Sequence, residues 1–254
     1  MKPLLLTLAA AAVLSLLTFF ACAHWQASAA ADPAFFEDEI AAFEAADAEA
    51  MPPSGAILFV GSSSIRFWDT LAEDMAPLPT VRRGFGGAHM SHLLHNFDRI
   101  VAPYAPRAVV VYVGENDIAA GKRVDRVLHE FETFLGRVRE ALPGADVWIM
   151  SVKPSKLRWS SWPAMERANE RLAERAAGDP RVFYVATGET LLGADGEPDD
   201  VYVIDRLHLD GEGYRRWTAE LRPRLMAAYA EELGVGVGVG VGSADEAAGG
   251  APVD

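Results

Sequence analysis

Ser63 stands behind the apolar run Ala56-Ile57-Leu58-Phe59-Val60 and Gly61, with further serines at 62 and 64. Far downstream, Asp205-Arg206-Leu207-His208 sets a carboxylate three residues before an imidazole. A hydroxyl, a base and a group that orients the base are the needs of nucleophilic acyl transfer. One turn of chain lets Asp205 reach the His208 ring, where a carboxylate would fix the tautomer and stabilise the imidazolium. Ser63 supplies the hydroxyl in this reading, with Ser62 and Ser64 as the other candidates. A plainer role exists for each part. Serines after a glycine also turn the chain and cap helices, and a loop carboxylate near a histidine is common.

Charge developing on a carbonyl oxygen needs hydrogen-bond donors. Three are available beside other turns: the N–H of Ser63, the N–H of Gly87 in Gly86-Gly87, and the side-chain amide of Asn116 in Gly114-Glu115-Asn116-Asp117. Glycine lets the backbone approach a ligand closely. Asparagine donates without bringing a competing charge.

These residues must be positioned by the elements around them. The run from Ala56 closes on a glycine turn and reads as a buried strand. No breaker follows before Pro77, so a helix is expected after the serines. Thr80–Phe85 is a second strand before Gly86-Gly87, and Ser91–Tyr104 a helix with Leu93, Leu94, Phe97 and Ile100–Val101 on one face. Ala108–Val113 is apolar without alternation, as in a strand buried on both faces of a parallel sheet. Val124, Val127, Leu128, Phe131, Phe134, Leu135, Val138 and Leu142 keep a helical period, stopped by Pro143-Gly144. Val147–Val152 and Val182–Val185 are the fourth and fifth strands, with a helix over Pro163–Ala177 between them. A long loop, Gly188–Val203, leads to Asp205. Tyr214, Trp217, Leu221, Leu225 and Tyr229 mark a last helix, bent at Pro223.

Five alternations of strand and helix predict a three-layer α/β/α fold, flavodoxin-like, with a five-stranded parallel sheet and right-handed crossovers. Sites in such folds lie outside the carboxyl ends of the strands. Ser63, Gly87, Asn116 and the Asp205–His208 loop all fall there.

Gly61-Ser62-Ser63-Ser64, the Gly87 turn, Gly114-Glu115-Asn116-Asp117 and Asp205-Arg206-Leu207-His208 resemble, in order and spacing, the four blocks of the SGNH (GDSL-type) hydrolases. The resemblance runs from about Ala56 to Trp217. It implies the SGNH hydrolase fold and a serine esterase that needs no cofactor. It implies Ser63 as nucleophile, Gly87 and Asn116 as oxyanion donors, and Asp205 with His208 completing the triad. The family's usual Asp before the nucleophile is Ser62 here. The general elbow G-x-S-x-G is absent, because Ile65 replaces its second glycine.

The chain has 254 residues and a net charge of −13, with a pI near 4.9. Phosphate binding needs clustered Lys and Arg; none is found, so nucleic acid is excluded as a partner. The one cysteine, Cys22, rules out an intrachain disulfide and a cysteine-based metal site. Lys2 followed by an uncharged run from Pro3 to Ala21 has the shape of an export signal. Residues 1–31 are therefore expected to direct export to the periplasm, cell envelope or medium. Attachment to a membrane would run through the N-terminus or through a lipid on Cys22; cleavage after Ala27-Ser28-Ala29 is the alternative. Asp32-Pro33 starts a short acidic helix with Phe36, Ile40 and Phe43 on one side. The hydrolase domain spans 32–233. Residues 234–254 alternate Gly and Val and then turn acidic, and read as a disordered tail.

His89, His92 and His95 recur at three-residue spacing, but do not all share a helix face and have no acidic neighbour in sequence. They read as solvated or capping residues, with His89 bordering the pocket and no metal. Arg158 and Trp159, in the loop Lys153–Trp162, are candidate substrate contacts. That loop mixes cations with two tryptophans, and Thr187–Val203 is rich in Gly, Asp and Glu. Neither has the aliphatic run of a lid over a long chain, so the expected substrate is a short acyl group, such as acetyl, on a polar or carbohydrate alcohol. Two other readings use the same residues. One is a metal-dependent phosphoesterase with Asp205, His208 and Asp210 around a cation. The other is a polysaccharide-binding member of the fold without turnover.

Overall fold

Burial on both faces is what makes the central strands continuous apolar runs. In the computed structural model, which describes residues 13–14, 17–18, 32–232 and 234, every residue of β1 (Ile57–Gly61) and β3 (Ala108–Tyr112) is buried. With β2 (Thr80–Gly84), β4 (Asp146–Met150) and β5 (Val182–Val185) they form one sheet in the order β2-β1-β3-β4-β5. All four pairings are parallel. The expected three-layer α/β/α architecture is what is found. The expected export signal and the Gly/Val tail lie outside the described residues, apart from 13–14, 17–18 and Gly234.

Alternate side chains of one strand serve opposite faces. Leu58 and Val60 pack with Val109, Val111 and Ile149 on one side. There they meet α1 (Glu37–Glu49), α4 (Met90–His95), α5 (Phe97–Ile100), α7 (Val124–Ala141) and α8 (Trp162–Ala177). Ile57 and Phe59 pack with Val110, Tyr112 and Trp148 on the other, under α9 (Gly211–Tyr229). The periodic face of α7 is buried at Val127, Phe131, Phe134, Leu135 and Val138. Each of these contributes about 1.5–3 kcal/mol on burial.

Two expected helices break where the chain must turn toward the site. After β1 there are two single turns, α2 (Ser63–Arg66) and α3 (Leu71–Asp74), in place of one helix. Trp68 is wholly buried between them, and its indole N–H donates to Asp74 at 2.6 Å. Ordering that indole interrupts the helix although no breaker stands in the sequence. After β2, the expected helix 91–104 is α4, α5 and a 3₁₀ turn at Ala102–Tyr104. Asn96 divides the first two, its side-chain amide donating to the His92 carbonyl at 3.0 Å. At the start of the domain Asp32 accepts from Ala34 N–H at 2.9 Å, but the regular helix begins only at Glu37. The last helix continues through Pro223.

Candidate active site

The chain leaves β1 at Gly61, whose φ is +151°. A Cβ there would lie 1.9 Å from the Tyr112 carbonyl oxygen on β3, so only glycine lets the strand end against its neighbour. Ser62 follows in extended conformation and caps α2: its N–H donates to Tyr112 at 3.0 Å and its carbonyl accepts from Ile65 and Arg66. Ser62 and Ser64 are both buried, at 2% exposure each. Ser63, partly exposed between them, is the serine that meets the histidine.

His208 Nε2 lies 2.9 Å from Ser63 Oγ, and its Nδ1 lies 2.6 Å from Asp205 Oδ2. The other oxygen of Asp205 accepts from the N–H groups of Leu207 and His208, at 2.9 Å each. Burial works to raise the Asp205 pKa. The His208 ring and the two N–H groups outweigh burial and hold it below the usual carboxylate value. Arg206, between them, takes a left-handed φ of +62° that makes the tight loop possible. Phe67 packs edge-on against the His208 ring, with centroids 4.9 Å apart. Ser63, Phe67, Leu207 and His208 border a cavity of about 410 Å³, whose other walls include Gly87, His89, Asn116, Leu157 and Arg158.

The three expected donors face this region in different states. Ser63 is the first residue of α2, and the N–H of a first helical residue has no intrahelical acceptor. Gly87 sits at φ +76°, a backbone that L side chains rarely adopt. Asn116 is anchored on both sides: its amide donates to the Ala88 carbonyl at 3.0 Å, and its oxygen accepts from Arg158 at 2.9 Å. An amide carries two N–H donors, so one remains.

Behind Asn116 lies a buried polar cluster that neither spacing nor composition signalled. Glu115, at the start of α6 (Glu115–Ala119), accepts from Tyr112 OH at 2.8 Å and pairs with Lys153 at 3.0 Å and Arg158 at 3.2 Å. Burial would raise the Glu115 pKa, but Lys153 and Arg158 beside it hold it below the usual carboxylate range. Lys153 is wholly buried and donates to the Leu207 carbonyl at 2.7 Å. The ammonium thus ties the end of β3 to the His208 loop. The only hint in sequence was a lysine directly after a buried strand.

The histidine row needs correction. His89 and His92 are buried at 4% and 0% exposure, not solvated. The capping role is present: the His89 N–H donates to His92 Nδ1 at 2.8 Å, ahead of α4. An acidic partner exists in space though not in sequence, since His89 Nδ1 lies 3.5 Å from Asp117. Asp117 is itself buried and paired with Lys122 at 2.5 Å. Trp159 stands apart from His89 and Arg158. It does not line the Ser63 cavity; its ring stacks on Trp162 at 6.0 Å. With Lys156, Asp200 and Arg206 it lines a neighbouring cavity of about 620 Å³. Asp210 caps α9 by accepting from Glu212 and Gly213, at 2.8 and 3.0 Å, so its carboxylate does not join Asp205 and His208. Among the described residues, no group of three or more His, Cys, Asp or Glu side chains is arranged to hold a metal ion.

The sequence profile of the GDSL-like lipase/acylhydrolase family matches residues 55–216, which span all four motif blocks. The chain belongs to that family. Its members' shared activity makes this GDSL-like acylhydrolase an enzyme that hydrolyses ester bonds. Solved structures are similar in fold. A GDSL-like lipase from Bacteroides thetaiotaomicron VPI-5482 is 19% identical with a TM-score of 0.66, covering 74% of this chain and 98% of its own. A carbohydrate esterase family 3 protein from Talaromyces cellulolyticus is 16% identical with a TM-score of 0.56, covering 68% and 97%. A variant of an acetyl-xylooligosaccharide esterase from Geobacillus Stearmophilus is 15% identical with a TM-score of 0.53, covering 69% and 94%. No protein with a curated description matches the chain.

Proposed function

We propose that this GDSL-like hydrolase is a serine esterase acting through Ser63, His208 and Asp205. One observation carries the reading: the continuous contact from Asp205 through both ring nitrogens of His208 to Ser63 Oγ, at 2.6 and 2.9 Å. His208 takes the Ser63 proton as the hydroxyl attacks the ester carbonyl, and Asp205 stabilises the imidazolium. The tetrahedral oxyanion is received by the Ser63 and Gly87 N–H groups and the Asn116 amide. His208 then protonates the departing alcohol. Water, deprotonated by the same imidazole, releases the acid from Ser63. No cofactor enters any of these steps.

The proposed substrate carries a short acyl group, such as acetyl, on a polar or carbohydrate alcohol. The size of the Ser63 cavity, about 410 Å³, supports a small ligand. The second cavity adjoins the first along two chain segments: Lys156, Trp159 and Arg206 line the second, and their neighbours Leu157, Arg158, Leu207 and His208 line the first. Trp159 there offers an apolar face beside charged side chains, a surface that suits a sugar ring. Two of the fold relatives are described as esterases of carbohydrates or acetylated xylooligosaccharides. We further propose export, to the periplasm, the medium or an anchored position at the envelope.

The decisive experiment is covalent labelling with a fluorophosphonate, followed by mapping of the labelled peptide. The label is expected on Ser63, and Ser63→Ala is expected to lose both label and turnover while staying folded. A label on Ser62 or Ser64, or full activity in Ser63→Ala, would overturn the assignment. Asn116→Ala is expected to lower kcat by roughly 10²–10³ with little change in KM. A rise in KM alone would make Asn116 a substrate-binding residue instead.

A further inference from the structure

The cleft around Ser63 departs from the charge of the molecule that holds it. The chain has a net charge of −13. Yet the cavity wall includes Arg66 and Arg158 and, among the described residues, neither Asp nor Glu. The two guanidiniums are in different states. The Arg158 side chain is 15% exposed and committed to Glu115 at 3.2 Å and Asn116 at 2.9 Å. The Arg66 side chain is 48% exposed, and its nearest carboxylate is Glu39 at 3.9 Å. Such a loose, exposed pair contributes about 0–1 kcal/mol. Among the described residues the Arg66 side chain makes no hydrogen bond; its Cζ lies 5.7 Å from the centroid of the Phe67 ring. Its five N–H donors are therefore unused.

Its position is as informative as its state. Arg66 follows Ser63 by three residues on α2, so the two side chains leave the same side of the turn. A Cβ on Gly86 would lie 3.1 Å from Arg66 Nη1, so the guanidinium rests against the Gly86-Gly87 turn. The unused fork thus borders both Ser63 and the Gly87 donor, beside the apolar walls of Phe67 and Leu157. Fields focus in a cleft lined by one sign of charge. A planar guanidinium fork matches a carboxylate or phosphate bidentately.

We propose that Arg66 forms an anion subsite, and that the ester this enzyme takes carries a carboxylate or phosphate group. This rests on the serine esterase reading and narrows its substrate class.

The test compares matched neutral and anionic esters with the wild type, Arg66→Gln and Arg66→Lys. One pair places the anion on the acyl side: p-nitrophenyl acetate and p-nitrophenyl hemisuccinate. Two more place it on the alcohol side: acetylated methyl glucoside against acetylated methyl glucuronoside, whose carboxylate is free, and against acetylated glucose 6-phosphate. In at least one pair the wild type is expected to favour the anion in kcat/KM, and to lose that preference as salt is raised. Arg66→Gln is expected to lower the anionic-to-neutral ratio about 10- to 100-fold, the size of a charge-assisted hydrogen bond. Arg66→Lys, which keeps the charge without the fork, is expected to fall between. The pair that responds identifies the side of the ester and the anion. A ratio that Arg66→Gln leaves unchanged in every pair overturns the anion subsite, even with ester hydrolysis intact. Failure of the wild type on p-nitrophenyl acetate, with no label on Ser63, overturns the esterase reading and the subsite with it.

Discussion

Two histidines on the wall of one cleft, His208 and His89, each have an aspartate near Nδ1, and the two pairs are built differently. Asp205 lies 2.6 Å from His208, with its carboxylate 42% exposed and otherwise held by backbone N–H groups. Asp117 lies 3.5 Å from His89, fully buried, and is closer to Lys122 at 2.5 Å. The far nitrogen of His208 meets Ser63 Oγ; among the described residues no side-chain hydroxyl hydrogen-bonds to the His89 ring. A carboxylate already neutralised by an ammonium has little left to give an imidazolium. A histidine–aspartate pair becomes a general base through what its second nitrogen faces and through how free its carboxylate is. The His89–Asp117 pair instead joins the start of α4 to the start of α6, where Met90 N–H also reaches Asp117 at 3.3 Å.

The sharpest way to break this comparison is to remove each carboxylate in turn. Asp205→Asn is expected to lower kcat by roughly 10⁴, since the amide favours the wrong tautomer and leaves the imidazolium unsupported. Asp117→Asn is expected to lower kcat less than about tenfold while lowering Tm by several degrees, because it leaves the Lys122 charge with Glu130 alone. Equal losses of kcat in the two variants would put His89 in the reaction.

A second set of variants asks whether the buried Glu115–Lys153 pair holds the reactive loop or only the fold. Lys153→Met leaves both Glu115 and the Leu207 carbonyl without their ammonium, and is expected to lower Tm and to reduce kcat about tenfold. Adding Glu115→Gln removes the carboxylate that has lost its nearer cation, while Arg158 keeps its bond to Asn116, so Tm is expected to recover in part. The rate is not expected to recover, because the donor to the Leu207 carbonyl is still missing. Recovery of kcat together with Tm would reduce Lys153 to a packing role.

The smallest expected effect is on acid stability. His89 and Lys122 hold Asp117 below the usual carboxylate pKa against the opposing effect of burial. A carboxylate with a depressed folded pKa stabilises the fold above its unfolded value, about 3.9, and that contribution is lost as pH falls through the folded pKa. Thermal melts below about pH 4 are therefore expected to show a shallower decline of Tm in Asp117→Asn than in the wild type. The half-exposed Asp205 gives a weaker change in the same direction. An unchanged slope in Asp117→Asn would mean that the buried carboxylate is not ionised in the folded protein.

Much of the site was legible before folding because each part stands at the end of an element with a strong local signal. The apolar runs of β1 and β3 mark strands buried on both faces; β1 ends on Gly61, and Gly114 follows β3 by two residues. The period of α7 is a property of its own residues. Asp205 and His208 are three residues apart, so their pairing needs only a local loop. The breaks at Trp68 and Asn96 were not legible. They depend on an indole and an amide finding partners, a packing effect that overrides helical preference.

From the sequence alone came the candidate serine block, the candidate base, the order of the strands along the chain and hence the edge of the sheet where the candidate site lies. Periodicity, turn residues and short spacings are local, and local rules suffice for them. Tertiary structure brings the Oγ of Ser63, the serine the resemblance pointed to, against His208 and buries Ser62 and Ser64. It alone decided that His89 has an acidic partner, that Trp159 faces a second cavity, and that Lys153 joins Glu115 to the His208 loop. Those contacts link residues far apart in the chain. A buried charge must find its counter-charge wherever the fold brings one, and no spacing along the sequence encodes that meeting.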